Sequence, residues 1–241
     1  MRRRTLLSGL AAGMLAPRAA LAQTPEDLFT GFVAACEMKA SNEGVSPTVI
    51  AQAREGLAYN PGLVRPAGAD PESRRVGRYV QSLINGDGQR ARAKREAHPR
   101  LAEIEDRYGV PASVLVAFWG RESSYGADFG RLDVFSTVAT MGTTGRGKTD
   151  WPAEYVAALR IVERGHRARS ELRGSSAGAL GHTQLMPSSF LKYGEDFDGD
   201  GRIDVWSASP LDALASAARH IQNAPASQPP PGADDGAWKR G

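Results

Sequence analysis

One carboxylic acid at the end of an apolar helix, and a run of three aspartates further on, are the residues of this chain best suited to chemistry. In VPASVLVAFWGRESSYG (residues 110–126) the spacing puts Val114, Leu115, Phe118 and Glu122 on one helical face. Glu122 then sits on the apolar stripe and in the last turn, where the helix dipole disfavours another negative charge. Both effects raise a carboxyl pKa, and an acid that stays protonated near neutral pH is what general-acid catalysis requires. Arg121 would oppose the shift if it pointed the same way, but adjacent helical residues diverge. The same position also suits a boundary glutamate paired with a nearby arginine, and this helix alone leaves both readings open.

The second feature is GSSAGALGHTQLMPSSFLKYGEDFDGDGRIDVW, residues 174–206. Its first half is rich in small residues around Gln184, a composition that suits a rigid wall beside a ligand better than a plain core helix. In its second half Asp196, Asp198 and Asp200 occupy positions one, three and five of an EF-hand-type loop, with Gly201 at six and the Arg202 carbonyl at seven. Position twelve is Ser207 rather than glutamate, so Asp204 and Asp212 are the available replacements. Three aspartates this close repel without a cation, and a structural calcium ion is the expected occupant; a solvated acidic turn is the plain alternative. Tyr125, Phe129 and Tyr193 could stack on sugar rings or simply fill core. His182 stands alone, with no second His or Cys at metal-ligand spacing, which rules out zinc. There is no nucleophile-elbow serine. Gly142, Gly147, Lys148 and Thr149 match a Walker loop by letters only, because no apolar strand precedes them.

These groups need helices to position them. Helical patterns start at Thr24 or Pro25, at Ser46-Pro47 with Ser46 as cap, over residues 73–105, from Val110-Pro111 to Gly126, from Trp151 to Gly165, at Pro187 and at Pro210. Residues 58–71 and 142–150 read as loops, and residues 202–205 are the best strand candidate. The basic run at 90–95 reads as a solvated helix face, with a grip on an acidic polymer as the lesser reading. Cys36, the single cysteine, can form no internal disulfide and reads as a small buried hydrophobe.

Arg2, Arg3 and Arg4 precede an apolar stretch and an Ala20-Leu21-Ala22 site, so residues 1–22 read as a signal peptide of twin-arginine type, which predicts export to the periplasm. That segment holds four of the 30 basic residues and no acid, leaving 26 against 27 acidic residues. The near-neutral remainder removes the main argument for a nucleic-acid partner. Nothing later is long and apolar enough for a transmembrane segment. The Pro-rich residues 226–241 read as a disordered tail.

FWGRESSYG, SSAGALGHTQLMPSSF and DFDGDGRIDVW, in this order, resemble the B-type lytic murein transglycosylases, glycoside hydrolase family 103. The resemblance implies a mainly α, lysozyme-like α+β fold: one domain over 23–225, with a helical N-terminal lobe and a lysozyme-like catalytic lobe with a calcium loop from about residue 100. It implies peptidoglycan glycan strands as partner and Glu122 as the single catalytic acid. Ser175 and Gln184 would line the adjoining sugar subsite, with Tyr125 and Tyr193 as further substrate contacts. Asp196, Asp198, Asp200, Arg202 and Asp212 would hold Ca2+. The reaction implied is cleavage of the bond between N-acetylmuramic acid and N-acetylglucosamine with closure of a 1,6-anhydro ring. Two other outcomes remain: a muramidase using Asp128 as second acid, and a noncatalytic wall-binding chain shortened at its C-terminus. Ser176 stands where this family commonly has an aromatic.

Overall fold

The computed structural model describes residues 23–64, 87–145 and 147–223. The expected signal segment, the tail and the 73–86 part of the third helix lie outside them. Nine α-helices stand among the described residues: α1 (Pro25–Asn42), α2 (Pro47–Ala53), α3 (Asp87–Ala97), α4 (Leu101–Tyr108), α5 (Ala112–Ser123), α6 (Val134–Gly142), α7 (Trp151–Glu163), α8 (Pro187–Tyr193) and α9 (Leu211–Asn223). One antiparallel pair, β1 (Leu132–Asp133) with β2 (Arg173–Gly174), joins them in the register Leu132 to Gly174 and Asp133 to Arg173. The mainly helical expectation holds.

Local chemistry explains the helix starts. Thr24 and Asp27 form a reciprocal capping box on α1: the Asp27 amide donates to Thr24 Oγ1 (3.1 Å) and the Thr24 amide to Asp27 Oδ2 (3.0 Å). Asp133 and Asp150 cap α6 and α7 by accepting from the amides of Ser136 (2.8 Å) and Ala153 (3.0 Å). Ser46 stands at the N-cap position of α2, as expected, and its carbonyl accepts from the Ile50 amide (3.1 Å). Its side chain makes no cap bond, and its amide instead donates to Glu163 Oε1 of α7 at 2.7 Å. The long helix expected to reach residue 105 is broken at Pro99 into α3 and α4. Residues 202–205 are not a strand; the Val205 carbonyl only receives the His182 amide, at 3.0 Å.

Two apolar clusters form the interior. The larger joins α1 and α2 to α6, α7 and α8 through Val33, Phe135, Tyr155, Leu159, Leu180 and Phe190. Helix α7 is buried on nearly every side. The smaller cluster joins α4, α5 and α9 through Ile104, Leu115, Val116, Trp119, Phe197 and Leu214. Cys36 is buried as expected, and desolvation pushes its thiol up to about 12.

All four histidines titrate below the ordinary value of 6.5, with burial as the leading cause in each. Unfolded histidines take up protons near that pH while the native chain resists, so the unfolded state binds more protons and stability falls as pH drops below it. Each histidine can contribute at most about 1.4 kcal/mol per pH unit. The urea midpoint at pH 5.5 is therefore expected below that at pH 7.5; equal midpoints would show that the histidines are not held neutral by the fold.

Candidate active site and acidic loop

Helix α5 presents Ala112, Leu115, Val116, Trp119 and Ser123 to the core. Val114, placed on the apolar face by its spacing, is 46% exposed. Glu122 therefore lies on the shoulder of the buried face, its side chain 27% exposed. The expected divergence of Arg121 is also corrected: its Nε lies 3.6 Å from Glu122 Oε1. That guanidinium is 64% exposed, so solvent screens the pair.

The helix stops earlier than its sequence suggested. Ser124 and Tyr125 both adopt left-handed backbone, with φ of 52° and 61°. Non-glycine residues in this region are uncommon and are retained where the surroundings fix them. The Tyr125 amide reaches back to the Trp119 carbonyl (3.4 Å), and the Tyr125 ring meets Trp119 edge-on, with centroids 5.6 Å apart. The reversal sends residues 126–130 across the small-residue wall. A side chain at Gly126 would have its first carbon 2.4 Å from the His182 ring, and one at Gly130 would have it 2.2 Å from the Gly174 carbonyl oxygen. These two glycines let the segment following Glu122 lie directly on the wall.

That wall contains the other predicted residues. Ser175 Oγ accepts from the amides of Ala177 (3.3 Å) and Ala179 (3.2 Å), closing a tight turn. Gln184 is left-handed, with φ of 51°, and its side-chain amide donates to the carbonyls of Phe129 (3.3 Å) and Gly181 (2.8 Å). The structure thus ties the segment beyond Glu122 to Ser175 through Gly130 and to Gln184 through Phe129. Tyr193 is held elsewhere: its ring stacks on His220 of α9, with centroids 4.7 Å apart and planes 8° apart.

His182, which the sequence excluded only as a zinc ligand, is the junction of this region. Its Nδ1 accepts from Trp119 Nε1 (2.9 Å), and its Nε2 lies 2.8 Å from the Ser207 carbonyl. An accepting Nδ1 puts the proton of the neutral ring on Nε2, which then donates to Ser207. The His182 carbonyl receives Ser123 Oγ at 2.6 Å, and Phe129 meets the ring edge-on at 4.5 Å. Of these partners, Ser123 and Trp119 sit one and three residues from Glu122 on α5. The sequence marked His182 but not its donor; a tryptophan three residues before the acid was the available signal.

In the acidic loop one carboxylate oxygen from each of Asp196, Asp198 and Asp200 lies within 4.8 Å of the others. Asp196 Oδ1 and Oδ2 accept from the amides of Gly199 (2.9 Å) and Gly201 (2.8 Å), and Asp200 Oδ1 from that of Arg202 (2.8 Å). Asp212 is not in this trio. It is buried, and it accepts from the amides of Phe197 (2.8 Å), Asp198 (3.4 Å) and Asp204 (3.0 Å). Burial raises its pKa, and the amides of Asp204 and Phe197 pull it back. Asp212 thus fastens the loop backbone to α9, and the nearby Asp198 carboxylate also raises its pKa.

The family model described as Transglycosylase SLT domain matches residues 28–226. Over 116 residues the chain is 32% identical to the membrane-bound lytic murein transglycosylase B of Escherichia coli, a stretch covering 48% of this chain and 32% of that protein. SltB3 from Pseudomonas aeruginosa, solved in complex with NAG-NAM-pentapeptide, matches with a TM-score of 0.70 at 34% identity, over 80% of this chain and 52% of that one. The Escherichia coli lytic transglycosylase Slt35 in complex with bulgecin A shares the fold, with a TM-score of 0.67 at 24% identity, over 81% of this chain and 62% of that one. The chain spans about a third of the E. coli transglycosylase B and about half of SltB3. On a match that runs through nearly all the described residues, this chain belongs to the transglycosylase SLT domain family.

Proposed function

We propose that this protein is a periplasmic lytic transglycosylase that cleaves peptidoglycan between N-acetylmuramic acid and N-acetylglucosamine. The observation that carries the reading is a half-buried carboxyl, Glu122, on a helix end locked against the Ser175–Gln184 wall, in a chain of this family. SltB3 has been solved with both NAG-NAM-pentapeptide and NAG-anhNAM-pentapeptide, which supports carrying the same chemistry over.

In this reading Glu122 enters protonated and gives its proton to the bridging glycosidic oxygen as the bond from muramyl C1 breaks. The carboxylate left behind takes the proton of the muramyl C6 hydroxyl, and that oxygen closes on C1. Glu122 ends protonated again, no water is consumed, and the product carries a 1,6-anhydro ring. One carboxyl thus serves as acid and then base. Most glycosidases need a second carboxylate. Asp128, the nearby candidate, is exposed, and its Oδ1 accepts the Gly130 amide at 2.9 Å. That engagement in a turn favours the single-acid route. Ser175 and Gln184 are assigned to the sugar beside the bond, with Tyr125 on the same side; Tyr193 is left to packing. Mass spectrometry of digested sacculi is the test. Anhydromuropeptides are expected, reducing ends would make the enzyme a muramidase, and no release would leave a wall-binding protein.

The loop at 196–202 is read as a calcium site. Oxygen donors suit this hard cation, and the trio supplies three anionic ones, with the Arg202 carbonyl as a further candidate. The ion would neutralise the loop and brace it, taking no part in bond cleavage. At a free calcium concentration a hundred times its Kd, binding adds about 2.7 kcal/mol. For a chain of this size that corresponds to a Tm about 5–10 °C higher than in chelator. An unchanged melting curve would remove the ion from the account. Export rests on the basic and apolar pattern of residues 1–22. No helix among the described residues is long and apolar enough to cross a membrane.

A further inference from the structure

The basic run of α3 does not lie idle on the surface. Arg90 and Lys94, four residues apart and so on one helical face, line a cavity of about 350 Å3 opposite Ser124, Tyr125, Gly126 and Ala127. That opposite side is the left-handed turn that begins two residues beyond Glu122. Among the described residues, no acidic side chain lines the cavity and neither cation has an ion-pair partner. Lys94 is also not loosely placed: its Nζ sits 5.3 Å over the Trp119 ring, which Tyr125 and His182 also contact. The second groove beside α3, of about 430 Å3, differs in carrying Glu96 next to Arg92 and Arg95. Only the first presents positive charge without a countercharge in its lining.

A cavity lined by two cations with no ion-pair partner among the described residues, a tyrosine and a serine selects a small anionic group attached to a larger ligand. On the reading under Proposed function, the ligand that reaches this turn is a glycan whose muramyl units bear peptide stems, and those stems end in carboxylates. The geometry points to the Arg90–Lys94 cavity as a site for the stem-peptide carboxylate, which makes the enzyme selective for peptide-bearing over bare glycan. Two partly exposed ion pairs are together worth about a factor of ten. Their strength is screened over about 8 Å at physiological salt.

The test uses the full chain and a charge-neutral double variant, Arg90→Gln with Lys94→Met, in which the methionine keeps an unbranched apolar side chain against Trp119. Cleavage of peptide-bearing glycan is compared with cleavage of glycan stripped of its stems by an amidase. The wild type is expected to prefer the peptide-bearing substrate about tenfold in kcat/KM, with a preference that fades in salt; the variant's ratio is expected near one at all salt concentrations. A preference retained by the variant overturns the assignment. In a second arm, tryptophan fluorescence follows binding of a synthetic tetrapeptide stem and of its fully amidated form. Carboxylate-dependent binding by a wild type that cleaves neither glycan would sink the proposed reaction and keep the cavity. Cleavage with no discrimination between free and amidated stems would sink the cavity and keep the reaction.

Discussion

Replacing Glu122 with Gln is expected to lower anhydromuropeptide release by about 10²- to 10⁴-fold while leaving the fold intact. The amide keeps the shape of the side chain and loses the proton that the glycosidic oxygen needs. The Arg121 pair is lost as well, but that guanidinium faces solvent, so the change in stability should stay within about 0.5 kcal/mol. Circular dichroism and a melting curve check the fold, and product mass spectrometry checks the chemistry. A variant that still released anhydro product at the wild-type rate would remove Glu122 from its role. Asp128→Asn is the matching control. Its Oδ1 bond to the Gly130 amide survives in an asparagine, so the single-acid route predicts a rate within a few-fold of wild type.

The second large effect concerns the residue that holds the acid's helix. His182→Gln places a donor near the Ser207 carbonyl but leaves buried Trp119 Nε1 without its acceptor. His182→Asn does the reverse, because an asparagine Oδ1 lies close to the position of Nδ1. Ser123 remains tethered in both, since its partner is the backbone carbonyl of residue 182. An orphaned buried donor costs about 1–3 kcal/mol. Trp119 is three residues before Glu122, so its release also lets the last turn of α5 shift, and a displacement near 1 Å costs about 10²-fold in rate. The glutamine variant is therefore expected to lose about 10²-fold in kcat with KM little changed, and the asparagine variant to keep most of it. Equal kcat in both, alongside lowered melting temperatures, would mean that His182 supports the fold and not the acid.

What could be read from the sequence was what local chemistry decides. The start of α1 followed from Thr24 and Pro25, and the structure adds the capping role of Asp27, three residues on. The end of α4 follows from Gly109, left-handed at φ 67°. Glu122 stood out through its spacing, but the side of α5 that is buried was misjudged. Val114 and Leu115 are neighbours of equal hydrophobicity, and only packing against α4 and α9 decides that Leu115 goes inside. The strand placed at 202–205 failed for the same reason. A strand needs a partner edge, and the edge used by β1 is some 40 residues away at Arg173–Gly174. Asp212 was recognised as belonging to the acidic loop, yet its role depends on which amides converge on it, and no spacing rule encodes that. The sequence leaves Tyr193 open between sugar stacking and core packing, because its stacking partner His220 lies on another helix.

The two interiors are threaded in alternation. The chain lays down α1 and α2 for one, α4 and α5 for the other, returns to the first with α6 to α8, and closes both with α9. Ala213 of α9 enters the larger cluster while Leu214, Ala215 and Ala218 enter the smaller. A nascent chain on the ribosome therefore holds Leu115, Val116 and Trp119 uncovered until the last helix has been made, almost a hundred residues later. Any truncation that removes α9 should leave α5 without its floor, turning the helix of Glu122 into a sticky one that chaperones and proteases would recognise.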